Sequence, residues 1–157
     1  MNALIVYASN SGSTMMTANI IAKSLKNYKS IVKPAAETNA NEFASYDLVL
    51  LGSNSWWVNN LEGQPHETML ELMQGIKDSN NTFENTCFAV FGCGDSNYLK
   101  FCNAVDMIHN TLTQVGANVL GNKLKVDGFF YNIEENTALI TQWATQLEVE
   151  VPVKSLL

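Results

Sequence analysis

The chain has 157 residues, with nine lysines and no arginine against 15 Asp and Glu, for a net charge of −6. The length predicts one domain over residues 1–157. The charge argues against nucleic-acid binding, because it repels a polyphosphate backbone, and no run approaches the roughly 20 apolar residues that span a bilayer.

The first element is Ala3–Ala8, a short apolar run rich in strand formers, ended by the polar cluster Ser9 to Ser13. From Thr14, Met16 and Ile20, then Ile21 and Leu25, recur four apart, predicting a helix that runs toward Asn27. Ile31-Val32 begins a weaker strand. Asp47–Gly52 is another buried run, ended by Ser53-Asn54-Ser55. Met69, Leu72, Met73 and Ile76 mark a helix beginning near Pro65, a residue favoured in a first turn. Cys87–Phe91 is the most apolar strand candidate and stops at Gly92–Asp95. The next helix carries Phe101, Ala104, Val105, Ile108, Leu112 and Val115 on one face. Val119-Leu120 and Leu124–Val126 supply a fifth strand kinked at Gly121. Ile140, Trp143, Ala144 and Leu147 line a last helix, with Asn132 and Glu135 as its capping box.

Strands alternating with helices predict an α/β fold: a doubly wound, five-stranded parallel sheet of order 2-1-3-4-5 with helices on both faces. Ligands of such sheets sit beyond the carboxyl ends of the strands, where the strand order reverses. The loops after the first, third and fourth strands are therefore the candidates.

The first loop, Ser9-Asn10-Ser11-Gly12-Ser13-Thr14, sets hydroxyls, an amide and one glycine at a helix N-terminus. That is anion chemistry, and a serine-rich cap would need fewer polar residues. Without arginine, a phosphate here must be held by backbone N–H groups, hydroxyls, amides or lysine. No Walker or dinucleotide signature follows. The second loop, Ser53 to Asn60, places Trp56 and Trp57 at a strand end. Stacking on a flat heteroaromatic ring explains them, and so does folding back onto the core.

The third loop, Phe91-Gly92-Cys93-Gly94-Asp95-Ser96-Asn97-Tyr98, followed by Phe101-Cys102 and Ala104-Val105-Asp106, resembles the ring-binding segment of the flavodoxins. With the first loop and Gly52 to Trp56, the resemblance covers nearly the whole chain, and the uninterrupted fifth-strand region is similar to the short-chain members. It implies a flavodoxin-like FMN-binding domain. Ser9, Asn10, Ser11, Gly12, Ser13 and Thr14 would wrap the FMN phosphate, and Asn54 and Ser55 would flank the ribityl chain. Trp56 and Tyr98 would sandwich the ring, with Trp57 the alternative for Trp56. Backbone groups of Asp95, Lys100 and Cys102 would meet the pyrimidine edge, with Cys93 and Gly94 beside it. Relatives often place glycine or asparagine after the inner aromatic; here Trp57 and Val58 follow, which makes a carbonyl flip toward the singly reduced flavin costlier.

The resemblance implies a low-potential carrier of single electrons, not an enzyme. Its partners would be transient, basic-patch redox proteins: a flavin reductase as donor and low-potential enzymes as acceptors. A monomer in the cytoplasm is expected, since the N-terminus lacks a leader pattern. The alternative within the architecture is an FMN-dependent NAD(P)H:quinone reductase, disfavoured by the missing arginine and nicotinamide loop. A receiver domain would need a carboxylate pocket for magnesium, which Ala8-Ser9 and Ser53-Asn54 lack. A module of a larger diflavin reductase is disfavoured because no linker rich in Pro or Gly flanks the chain.

The three cysteines, Cys87, Cys93 and Cys102, lack Cys-x-x-Cys spacing and predict thiols, not a disulfide or zinc site. His66 and His109 lack partners at metal-ligand spacing and read as surface residues. Glu62, Glu67 and Glu71 form either a docking patch or a solvated face. Met16, Met69 and Met73 read as core fillers.

Overall fold

The apolar run after the N-terminus becomes the sheet's inner strand, because strands buried on both faces need no alternating pattern. The computed structural model describes residues 1–81 and 83–152. The elements are β1 (Asn2–Ala8), α1 (Ser13–Ser24), β2 (Lys29–Pro34), β3 (Leu48–Val58), β4 (Leu61–Pro65), α2 (Glu67–Asp78), β5 (Cys87–Gly94), α3 (Asn103–Gln114), β6 (Asn118–Val119), β7 (Leu124–Asp127) and α4 (Ile133–Glu150).

The parallel order is β2-β1-β3-β5, with β6 and β7 sharing the next position: β6 pairs with the start of β5 at Cys87, and β7 with its end at Gly94. Gly121, at φ 71°, lies in the break between them. Counting β6 and β7 as one position, this is the expected doubly wound order. The two faces of the sheet carry separate apolar cores. Leu4, Val6, Val49, Leu51, Phe88 and Val90 pack against α2 and α3, while Ala3, Ile5, Leu48, Leu50, Ala89 and Phe91 pack against α1 and α4.

Five local expectations are corrected. The segment after Gly52 is not a loop: β3 runs on to Val58 and turns back into β4 as an antiparallel hairpin. Its two-residue turn is Asn59-Asn60, at φ 51° and 64°, the left-handed pair that asparagine tolerates in such hairpins. Pro65 ends β4, and the N-cap of α2 is His66, whose Nδ1 accepts from the Thr68 amide at 3.2 Å. The buried stripe of α1 is Thr14, Thr17, Ala18 and Ile21, which turns Met16 outward to 38% exposure. This stripe can be buried because Thr17 Oγ1 donates to Ser13 O at 2.9 Å. Asn132 makes no side-chain cap on α4, since φ −141° and ψ 59° keep it out of the extended backbone that aims a cap at the helix amides. Phe101 also falls just before α3, packed against the core beside it.

Candidate functional site

The parallel registers bring four chain segments to one sheet edge. Ala8 lies level with Ser53, Ser53 with Gly92, and Gly94 with Asp127. The turns leaving these strands enclose a cavity of about 470 Å³, within the usual size range of small-molecule sites. Of the residues singled out from the sequence, Asn10, Ser11, Ser13, Asn54, Ser55, Trp56, Trp57, Cys93, Gly94, Asp95, Tyr98, Lys100 and Cys102 line it; Ser9, Gly12 and Thr14 do not.

At the first loop, Gly12 is the N-cap of α1 at φ 90°, and no side chain caps the helix. The serine-rich cap is thereby excluded. Ser9 Oγ instead accepts from the Gly12 amide at 2.9 Å, shaping the loop, and no acidic residue occupies the first turn. The helix therefore offers uncapped amides and its positive dipole end. Thr14 is fully buried, and its Oγ1 has no hydrogen-bond partner. Ser13, Thr14 and Thr17 surround the Cys93 thiol, and Thr17 Oγ1 lies 3.3 Å from it.

The second wall is the β3–β4 hairpin. Asn54 is buried with its Oδ1 unpartnered although it lines the cavity. Buried polar atoms are almost always satisfied, so an unpartnered one on a residue of the lining is what a site for a polar ligand would contain. Ser55 Oγ accepts from the Ala104 amide at 2.9 Å, and so caps α3 from outside. Trp56 and Trp57 are 58% and 55% exposed, which rules out the folded-back arrangement. Side chains alternate along a strand. Leu48 and Leu50 belong to the core under α1 and α4, so Asn54 and Trp56 continue that face, toward the first loop. Trp57 falls on the α2 and α3 face, where Glu62 and Gly63 oppose it in a bulge, and both tryptophans also line a second cavity with Asn10, His66 and Glu67. None of Trp56, Trp57 and Val58 is at positive φ.

The third wall is a tight turn. Asp95 Oδ1 accepts from the Asn97 amide at 2.9 Å, and the Tyr98 amide donates to Asp95 O at 3.1 Å. Tyr98 is left 58% exposed over the cavity. Lys100 supplies a cation to the lining. Cys102, at φ 50°, is the N-cap of α3, and burial pushes its thiol up to about 12; burial also raises Cys93. Neither thiol is poised as a nucleophile. Gly94 allows a close approach here, since a Cβ would stand 3.0 Å from Cys102 Sγ and 3.1 Å from its amide.

A cavity with aromatic walls and an uncapped helix end matches the site that the sequence resemblance implies. The sequence pattern of the family described as Flavodoxin matches residues 5–135. A flavodoxin of Maridesulfovibrio salexigens is 34% identical over 129 residues, covering 80% of this chain and 86% of that protein. The chain belongs to the flavodoxin family. Oxidised Flavodoxin 2 from Bacillus cereus superposes with a TM-score of 0.77 at 26% identity, covering 93% of this chain and 99% of that one. The flavodoxin of Fusobacterium nucleatum bound to flavin mononucleotide reaches 0.76 at 15% identity, covering 96% and 99%, a likeness of fold. As a flavodoxin, the protein is an electron carrier and not a substrate-converting enzyme.

Sequence reasoning overlooked the fourth segment. Gly128, Phe129, Phe130 and Tyr131 also line the cavity, as do Glu62, Gly63 and Phe101. Three adjacent aromatics just after a strand end were the available signal. Among the described residues, no helix is long and apolar enough to cross a membrane.

Proposed function

We propose that this flavodoxin carries single electrons on one FMN held non-covalently in the cavity between Trp56 and Tyr98. The observation that carries the reading is a cavity with an aromatic wall on each of two segments, lined also by the buried Asn54, whose Oδ1 has no hydrogen-bond partner. When bound, FMN supplies the redox chemistry, and the protein its electrostatics.

The chain's own residues divide the work. The α1 amides and the hydroxyls of Ser11, Ser13 and Thr14 hold the phosphate in place of cationic side chains, with Ser9 and Gly12 shaping the loop and Asn10 beside it. Asn54 and Ser55 flank the polyol. Trp56, on the sheet face that leads to α1, is the inner wall and Tyr98 the outer one, both excluding water. Backbone groups of Asp95, Lys100 and Cys102 meet the ring's polar edge, while Cys93 and Gly94 pack beside it. Apolar walls and a net charge of −6 disfavour added negative charge, which lowers the reduction potential.

The acidic surface favours fast, salt-sensitive encounters with basic-patch proteins: a flavin reductase as donor and low-potential enzymes as acceptors. A cytoplasmic monomer fits this role. The test is to reduce the holoprotein anaerobically and mix it with cytochrome c, a basic acceptor. Rapid oxidation that slows as ionic strength rises is expected. Steady NADPH consumption with a quinone, without any added reductase, would overturn the reading in favour of a quinone reductase.

A further inference from the structure

We propose that the turn after β7 is a fourth segment of the cofactor site, with Phe130 as a ring contact and Asp127 as the residue that positions the turn. This rests on the FMN reading above. The turn is tied down on three sides. Toward the third loop, Ser96 donates to Asp127 twice, from its amide to Oδ1 at 2.9 Å and from its hydroxyl to Oδ2 at 2.6 Å. Toward β5, the Gly128 amide donates to Gly94 O at 3.0 Å. From α4, Asn136 Nδ2 donates to Asp127 O at 3.1 Å and reaches Gly128 O at 3.5 Å. The chain then forms a short 3₁₀ turn, Phe129–Tyr131, after Gly128 at φ 54°.

Within this turn the rings have separate roles. Phe129 is buried in the core under α1 and α4. Phe130 stands edge-on to it, with centroids 5.3 Å apart and planes at 90°. It remains 48% exposed while lining the same cavity as Trp56 and Tyr98. A ring held by a buried neighbour, on a backbone fixed by Asp127 and Asn136, is preorganised to meet a flat ligand.

The carboxylate acts through geometry. Asp127→Ala removes both contacts to Ser96. Asp127→Asn can keep both, with Oδ1 accepting from the amide and Nδ2 donating to the hydroxyl oxygen.

The experiment titrates flavin-free protein with riboflavin and with FMN, following flavin fluorescence. Phe130→Ala is expected to raise both dissociation constants by the same factor, about 2- to 10-fold, with binding of inorganic phosphate unchanged. Phe130→Leu, which keeps apolar bulk without a π-face, controls for misfolding and should lie between the two. Asp127→Ala should weaken riboflavin binding, with Asp127→Asn restoring it. Wild-type affinity for both flavins in Phe130→Ala, or equal losses in Asp127→Asn and Asp127→Ala, would overturn the proposal while leaving the FMN reading intact. A wild-type protein that quenches neither flavin would remove both.

Discussion

Asn103 Nδ2 donates to the carbonyl of Gly63 at 2.9 Å, bonding the hairpin that carries Trp56 to the start of α3, just beyond the turn that carries Tyr98. The contact requires glycine. Gly63 sits at φ 73°, and a Cβ there would stand 2.7 Å from Lys100 Cβ and 3.0 Å from Asn103 Cβ. Two walls of the cavity are thus tied together through a backbone carbonyl and the short Asn103 side chain, with the hairpin backbone packed close against α3.

Gly63→Ala should therefore destabilise the fold by about 1–3 kcal/mol, since it combines positive φ with a steric clash. Urea unfolding reads this as a lower midpoint at unchanged slope. An unchanged midpoint would show that the hairpin can shift without cost.

The two tryptophans should separate in function. Trp56 lies on the sheet face leading to α1, whereas Trp57 opposes the Glu62-Gly63 bulge on the other face. Trp56→Ala should weaken riboflavin binding about 5- to 100-fold, the range expected for losing a stacked ring, with a much smaller effect for Trp57→Ala. The reverse ranking would make Trp57 the inner wall.

Thr14 offers a test of the phosphate end. Its Oγ1 is buried without a partner, so Thr14→Val removes an unsatisfied hydroxyl at nearly constant shape. The flavin-free variant should be as stable as the wild type or more so. Its FMN affinity should fall about 10- to 100-fold, as for a hydrogen bond to a charged group, while riboflavin affinity stays unchanged. Equal losses for the two ligands would place the hydroxyl elsewhere.

The general plan was legible because buried parallel strands are continuous apolar runs, as Ala3–Ala8 and Cys87–Phe91 show. The hairpin was not. Ser53, Asn54 and Ser55 have the composition of a loop, yet their strand continues because Ser53 Oγ bonds the His66 amide and Ser55 Oγ bonds that of Ala104. Asn59-Asn60 was the readable turn signal. The phase of α1 was misread because apolar residues were weighted above threonines, whereas Thr17 satisfies its hydroxyl within the helix and so can face the sheet. Phe130 escaped notice because its approach depends on β7 pairing Asp127 with Gly94, a register that sequence spacing does not reveal.

The thiols give a pH prediction. Burial raises Cys93, and raises Cys102 to about 12, and only the thiolate reacts with disulfide reagents. At pH 8 both should be silent in the folded protein, with any fast labelling confined to Cys87 and all three reacting after unfolding. Their rates should climb only as pH rises toward these elevated values. Rapid modification of two or more thiols at pH 8 would contradict the burial.

The most direct measurement is a fluorescence titration of the flavin-free protein with FMN. Nearly complete quenching that saturates at one FMN per chain, and that Trp56→Ala and Tyr98→Ala each weaken, is the predicted result. Flavin emission that stays unquenched, or quenching indifferent to both substitutions, would contradict the placement of the cofactor between these two rings.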